Sequence, residues 1–176
     1  MAKICKIYPD SSTIELGGIL YNLYKYNIDI QKQKGKNVSG RLFYAKEYST
    51  IRLCCGRGNK NTEAIIDLTH HLVDKWLIFS TNPPTTYCAF VNSLNDIRSK
   101  KSTIGECYIK TQNAEFHFHG FNCLIDENRL NKFCGMHLRG VICDESSSLT
   151  DLAINCMYKL LPCMLKYPTQ HFIFIG

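Results

Sequence analysis

The stretch Ile51–Leu68, "IRLCCGRGNKNTEAIIDL", changes character twice. It opens as a strand, passes through Gly-Arg-Gly-Asn-Lys, and continues as a helix in which Ile65, Leu68, Leu72 and Trp76 fall near helical spacing. Asn61 or Thr62 caps that helix, which the spacing carries over 61–77. A glycine-rich turn between strand and helix raises the question of a phosphate cradle. The turn lacks the spacing GxxxxGK[ST], and no GxGxxG occurs in the chain. It reads as positive-φ backbone ahead of a helix, with Arg57 and Lys60 as basic tips.

A second copy of the pattern lies further on. "TEAIIDLTHHLVDKWL" begins at Thr62 and "TDLAINCMYKLLPCML" at Thr150, 88 residues later, half of the 176-residue chain. At that offset Ile66 meets Ile154, Leu72 meets Leu160, Leu53-Cys54-Cys55 meets Val141-Ile142-Cys143, and Asp144 takes the place of Gly56. Strand, turn and helix align together, which is the signature of an internal repeat. The expected elements are strands at 3–7, 39–46, 49–56, 87–91, 104–112, 114–121, 136–144 and 171–175, and helices at 11–26, 61–77, 93–101 and 148–165. "STNPPTT" (80–86) is the expected break between halves, because the residue before a proline avoids helix.

Hydrophobic content of 45% supports a packed core, and 20% charged residues argue against disorder. The net charge of +6 is unevenly placed. Between Lys25 and Lys60 nine basic residues face only Asp29 and Glu47, which favours a polyanionic partner. Heavy use of Lys, Asn, Ile and Tyr suits an AT-rich genome such as some viruses and parasites have. No apolar run is long enough for a membrane span, and the N-terminus has no signal-peptide core. The ten cysteines are therefore expected as thiols in a reducing compartment, nucleus or cytoplasm, and most sit among apolar neighbours as small core residues.

The layout resembles the TATA-binding protein family, with "TIRLCCGRGNKNTEAIIDLTHHLV" similar to the segment that joins hairpin, glycine turn and long helix. The resemblance implies an α+β fold: a pseudo-two-fold repeat, residues 1–80 and 81–176 of one continuous domain, with a curved antiparallel sheet and two long helices on one face. It implies a non-enzymatic, transcription-associated protein whose open sheet face takes the AT-rich DNA minor groove. Ile51, Leu53 and Cys55 share one face of their strand, and the resemblance turns them toward DNA. Arg139, Val141 and Cys143 are the equivalents in the second half. Phe43, Tyr44 and Phe133 fall near the wedging positions, and Arg41, Arg57 and Lys60 are the phosphate contacts. No cofactor is implied. An alternative keeps the fold as a protein-interaction module that binds a transcription-machinery protein without DNA. A third reading is a metal or cysteine enzyme. His117-x-His119 with Cys134-x-x-His137 is the best metal cluster, although it matches no strong zinc spacing, and no GxSxG or other catalytic signature is present.

Overall fold

The computed structural model describes residues 4–7, 25, 49–53, 61–96, 103–105, 107–164 and 171–176. Its strands are β1 (Ile4–Ile7), β2 (Ser49–Leu53), β3 (Asp74–Ser80), β4 (Thr103–Gly105), β5 (Tyr108–Lys110), β6 (Ala114–Gly120), β7 (Leu138–Cys143) and β8 (His171–Ile175). They form one eight-stranded sheet in the order β1-β2-β8-β7-β3-β6-β5-β4. All neighbours from β1 to β6 in that order run parallel. Only β5 and β4 add an antiparallel hairpin at one edge.

A parallel sheet needs crossovers that put helices on its faces. Those helices are α1 (Asn61–Thr69), α2 (Pro83–Asp96), α3 (Asn122–Ile125), α4 (Glu127–Leu130), α5 (Asp151–Met157) and α6 (Leu161–Met164). Strand residues alternate between two cores. Ile51, Trp76, Ile78, Phe116, Ile142 and Ile173 pack with Ala64, Ile65 and Leu68 of α1 and Phe90 of α2. Leu77, Phe79, Val141, Cys143, Phe172 and Phe174 pack on the other face with Leu124, Leu130, Ala153, Met157 and Met164. Both faces of the central strands are thus closed, which explains their near-continuous apolar sequences.

This architecture replaces the expected antiparallel saddle. The two supposed halves do not form sequential repeats: β3, from 1–80, lies between β7 and β6, and β8 inserts between β2 and β7. The helix expected over 61–77 ends at Thr69. Asp74 adopts φ 69°, the Trp76 indole donates to the Val73 carbonyl at 2.8 Å, and the chain leaves as β3. "KWLIFS" is apolar because it is buried on both sides, which mimics a helical stripe in sequence. The Pro83-Pro84 break is in fact the first turn of α2, where prolines cost no hydrogen bond, so the strand expected at 87–91 is helix. The strands at 136–144 and 171–175 appear as β7 and β8, and Thr150 caps α5 by accepting from the Ala153 amide at 3.2 Å. The helix expected at 11–26 and the strand at 39–46 lie outside the described residues.

Candidate active site

Parallel strands deliver their carboxyl ends to one edge of the sheet, and loops leaving that edge are where side chains converge. β7 ends at Cys143 and hands on Asp144 and Glu145; β3 ends at Ser80 and hands on Thr81; β8 ends beside Gly176. β2 ends at Leu53, and α1 begins at Asn61. Only β8 separates β2 from β7, so their ends are about 10 Å apart, within reach of a side chain from the start of α1.

Thr62, in the first turn of α1, spans that gap. Its hydroxyl donates to Asp144 Oδ2 at 2.6 Å, joining residues 82 apart in sequence. Asp144 is 1% exposed, and its amide donates to the Phe79 carbonyl at 2.8 Å, which pins the turn to β3. Burial raises the Asp144 carboxyl above the ordinary range, the Thr62 hydrogen bond and the Glu145 amide oppose this, and the neighbouring Glu145 charge adds to the rise. Its Oδ1 is buried with no hydrogen-bond partner, as is Asn61 Oδ1 at the start of α1. A buried carboxylate oxygen without a partner costs free energy unless a ligand meets it. A threonine hydroxyl and a carboxylate are hard oxygen donors, the set that suits Mg²⁺.

Glu145 is exposed beside this buried pair and sits in the left-handed region at φ 57°. A non-glycine residue held there stores strain of a kind that clusters at functional sites. The Thr81 hydroxyl donates to Glu145 Oε2. Gly176, at φ 129°, lies against the same turn: a Cβ there would meet the Ser146 nitrogen at 2.9 Å and the Glu145 Cα at 3.0 Å. Cys143 takes no part in nucleophilic chemistry, because burial and Asp144 push its thiol far up and its sulfur lies 3.3 Å from Met157 Sδ.

The residues expected to line an open DNA face do not share one. Ile51 is buried in the core under α1, and Val141 and Cys143 in the core on the opposite side. Phe133 is 4% exposed and packs edge-on against Phe79 and His119, so it cannot wedge between bases. Arg139 is half-buried on β7. Leu53 closes β2, and Arg41, Phe43, Tyr44, Cys55, Arg57 and Lys60 lie outside the described residues. The four metal candidates are dispersed. His117 pairs with Glu115 at 2.5 Å, and His119 is held neutral by burial, down to about 4. Cys134 and His137 line a groove of about 610 Å³ at the amino ends of β3 and β6. No cluster of three metal-ligating side chains exists among the described residues. No described helix is long and apolar enough to cross a membrane.

Sequence reasoning does not single out Asp144 and Glu145 as site residues. The signal is present: "GVICDE", an apolar strand that ends in two carboxylates. In the repeat alignment Asp144 counts only as a missing glycine, and Thr62 only as a cap.

No protein-family model matches the chain, and no curated protein matches it. Among solved structures it is similar to the large terminase of a thermophilic bacteriophage, at TM-score 0.48 and 12% identity over 69% of this chain and 32% of that one. It is also similar to the large terminase ATPase domain of a Thermus phage, at TM-score 0.47 and 13% identity over 70% of this chain and 58% of that one. The chain spans less than two thirds of the length of either. Neither is a TATA-binding protein. With a parallel sheet covered on both faces, the resemblance to that family fails, and the non-enzymatic, transcription-associated function drawn from it fails too.

Proposed function

We propose that this chain is a nucleoside triphosphate hydrolase of the P-loop type, dependent on a divalent cation. The observation that carries the reading is the Thr62–Asp144 contact, beside which the second oxygen of a buried carboxylate has no hydrogen-bond partner. In P-loop hydrolases the metal is held by a threonine or serine early in the first helix and by an aspartate at the end of a nearby strand. Thr62, at the start of α1, and Asp144, just after β7, are the candidates for those two roles. When bound, the cation neutralises charge between the phosphates. The chain supplies the rest. The first amides of the nine-residue α1 point along its axis and favour phosphate. Lys60, two residues ahead of Thr62 in the sequence, offers a cation for the terminal phosphates; the lysine-to-threonine spacing is one residue longer than in GK[ST]. Glu145 is the one carboxylate of the pair open to solvent, and it orients the attacking water and takes its proton. Thr81 holds that carboxylate. The basic run Lys25–Lys60, including Arg41 and Arg57, supports a polyanionic partner for the same chain.

The test is phosphate release from ATP and GTP by the purified chain, with Mg²⁺ or with chelator, and with or without duplex DNA. Glu145→Gln should cut turnover by roughly 10²–10³-fold and leave nucleotide affinity intact, because it removes a group used only in the transition state. Thr62→Ala and Asp144→Asn should weaken Mg²⁺-dependent nucleotide binding itself. Absence of any Mg²⁺-dependent nucleotide binding, or turnover indifferent to Glu145→Gln, would sink the proposal.

A further inference from the structure

Cys163 packs against the Phe133 peptide that leads into Cys134, and Cys134 lines the groove at the amino ends of β3 and β6, away from the carboxyl ends that carry the proposed hydrolase site. Cys134 is exposed and ends the short 3-10 turn Asn131–Phe133 that follows α4. Cys163 is half-buried in α6. Its sulfur lies 3.3 Å from the Phe133 carbonyl oxygen, in the peptide group that leads into Cys134. Cys163 thus lies against the backbone of the turn that carries the Cys134 thiol. Cys134 has one further contact, a weak one to Asn131 Oδ1 at 3.9 Å, so its rotamer is not locked by a strong partner. Of the described cysteines, Cys88, Cys107 and Cys123 are also free, and Cys143 and Cys156 are buried.

We propose that Cys134 and Cys163 form a disulfide when the protein meets a peroxide oxidant. The sulfur of Cys134, being exposed, is the one the oxidant reaches. Its thiolate attacks one peroxide oxygen, the O–O bond breaks, and water leaves with Cys134 as the sulfenic acid. Cys163 then attacks that sulfur as its thiolate, the S–O bond breaks, and a second water leaves. Two thiols and one hydrogen peroxide give one disulfide and two waters. Burial holds the Cys163 thiol protonated, so resolution is the slower half of the reaction.

The position of the bond says what it does. The closed loop runs from residue 134 to residue 163 and contains β7, Asp144, Glu145 and α5. Cys134 lines the groove at the amino ends of β3 and β6 with Asp74 and Ala114, whereas Asp144 follows the carboxyl end of β7. The disulfide therefore clips the segment that carries the carboxylates without touching them. It restricts the unfolded chain and leaves the site geometry alone.

The experiment treats the full chain with one equivalent of hydrogen peroxide, blocks remaining thiols, and digests with trypsin without reductant. Cleavage after Lys132 and Arg139, and after Lys159 and Lys166, gives two peptides with one cysteine each, so the bond is read as a single cross-linked mass. The expected result is that cross-link, absent in Cys163→Ser, together with a rise in Tm of about 5–10 °C on oxidation. Cys134→Ser should show neither. Blocked, unlinked thiols at both positions would overturn the proposal, as would preferential pairing of Cys134 with Cys107 or Cys123, or a cross-link that leaves Tm unchanged. None of these readouts depends on nucleotide hydrolysis.

Discussion

Asp144 shows at the scale of one residue what the proposed site costs. Its carboxyl is buried, and its folded-state pKa lies above the ordinary 3.8. For a carboxylate with a raised pKa the sign is fixed. The folded state holds the proton more tightly than the unfolded chain, so stability is fully present below the unfolded pKa and is lost as pH rises through the folded one. At neutral pH, with no cation bound, the charged carboxylate therefore destabilises the fold. Asp144→Asn keeps an acceptor for the Thr62 hydroxyl and removes the charge. Its Tm in chelator at pH 7 should exceed that of the native chain, and the gap should shrink as pH falls toward 4. Mg²⁺ with nucleotide should raise the Tm of the native chain and leave the variant unmoved, because only the native carboxylate gains by binding. A variant less stable than the native chain at pH 7 would show that Asp144 is a structural acceptor rather than a reserved ligand.

Among the elements, the contact of β3 with β7 is the tightest constraint. The register between them shifts at Lys75/Trp76, which sets Trp76 opposite Gly140. A Cβ on Gly140 would lie 2.3 Å from Trp76 Cζ3 and 2.8 Å from the His171 carbonyl oxygen. The same indole stacks on the buried His171 ring, centroids 6.0 Å apart. Gly140→Ala should therefore destabilise by about 1–3 kcal/mol or more, since neither the indole nor a strand backbone has room to yield. A denaturant midpoint within error of the native value would refute the close packing. The same region shows what can be read in advance and what cannot. β7 and β8 are legible because "GVIC" and "HFIFI" are short apolar runs bounded by turn residues. β3 is not, because a strand buried on both faces loses the period-two pattern, and Trp76 and Leu77 also satisfy helical spacing. α2 is not, because two prolines read as a break when the sequence does not reveal that they occupy a first turn. For the site, Thr62 stands out by its capping chemistry and Asp144 by its misfit to a repeat, but their contact spans 82 residues and depends on β8 lying between their strands. Local periodicity holds no such information. The 88-residue register is an effect of two similar strand-loop-helix units in one parallel sheet, and such units recur wherever crossovers do.

For the molecule as a whole, the central fact is that strand order and chain order disagree. β2 reaches β3 through α1 and leaves between them a gap two strands wide, which β7 and β8 fill later. β8 pairs with β2 on one side and β7 on the other, and each of its five residues is buried. A chain ending at Gln170 should therefore not unfold cooperatively. It would split the sheet between β2 and β7 and leave Thr62 with no fixed distance to Asp144. Loss of the denaturation transition, followed by near-ultraviolet circular dichroism of Trp76, is the expected outcome; a sharp transition at the native midpoint would contradict the keystone role of β8. Placing the keystone there also sets a timetable for synthesis. Of the eight strands, the one that closes the centre leaves the ribosome after all the others. Until then two inner strands wait with bare amide edges, which invite other chains to pair with them. Pairings over such sequence distances also form slowly. Yield of this protein in a foreign host should thus follow how long the nascent chain is shielded during that wait, by slower growth or by a holding chaperone, more than the stability of the finished molecule.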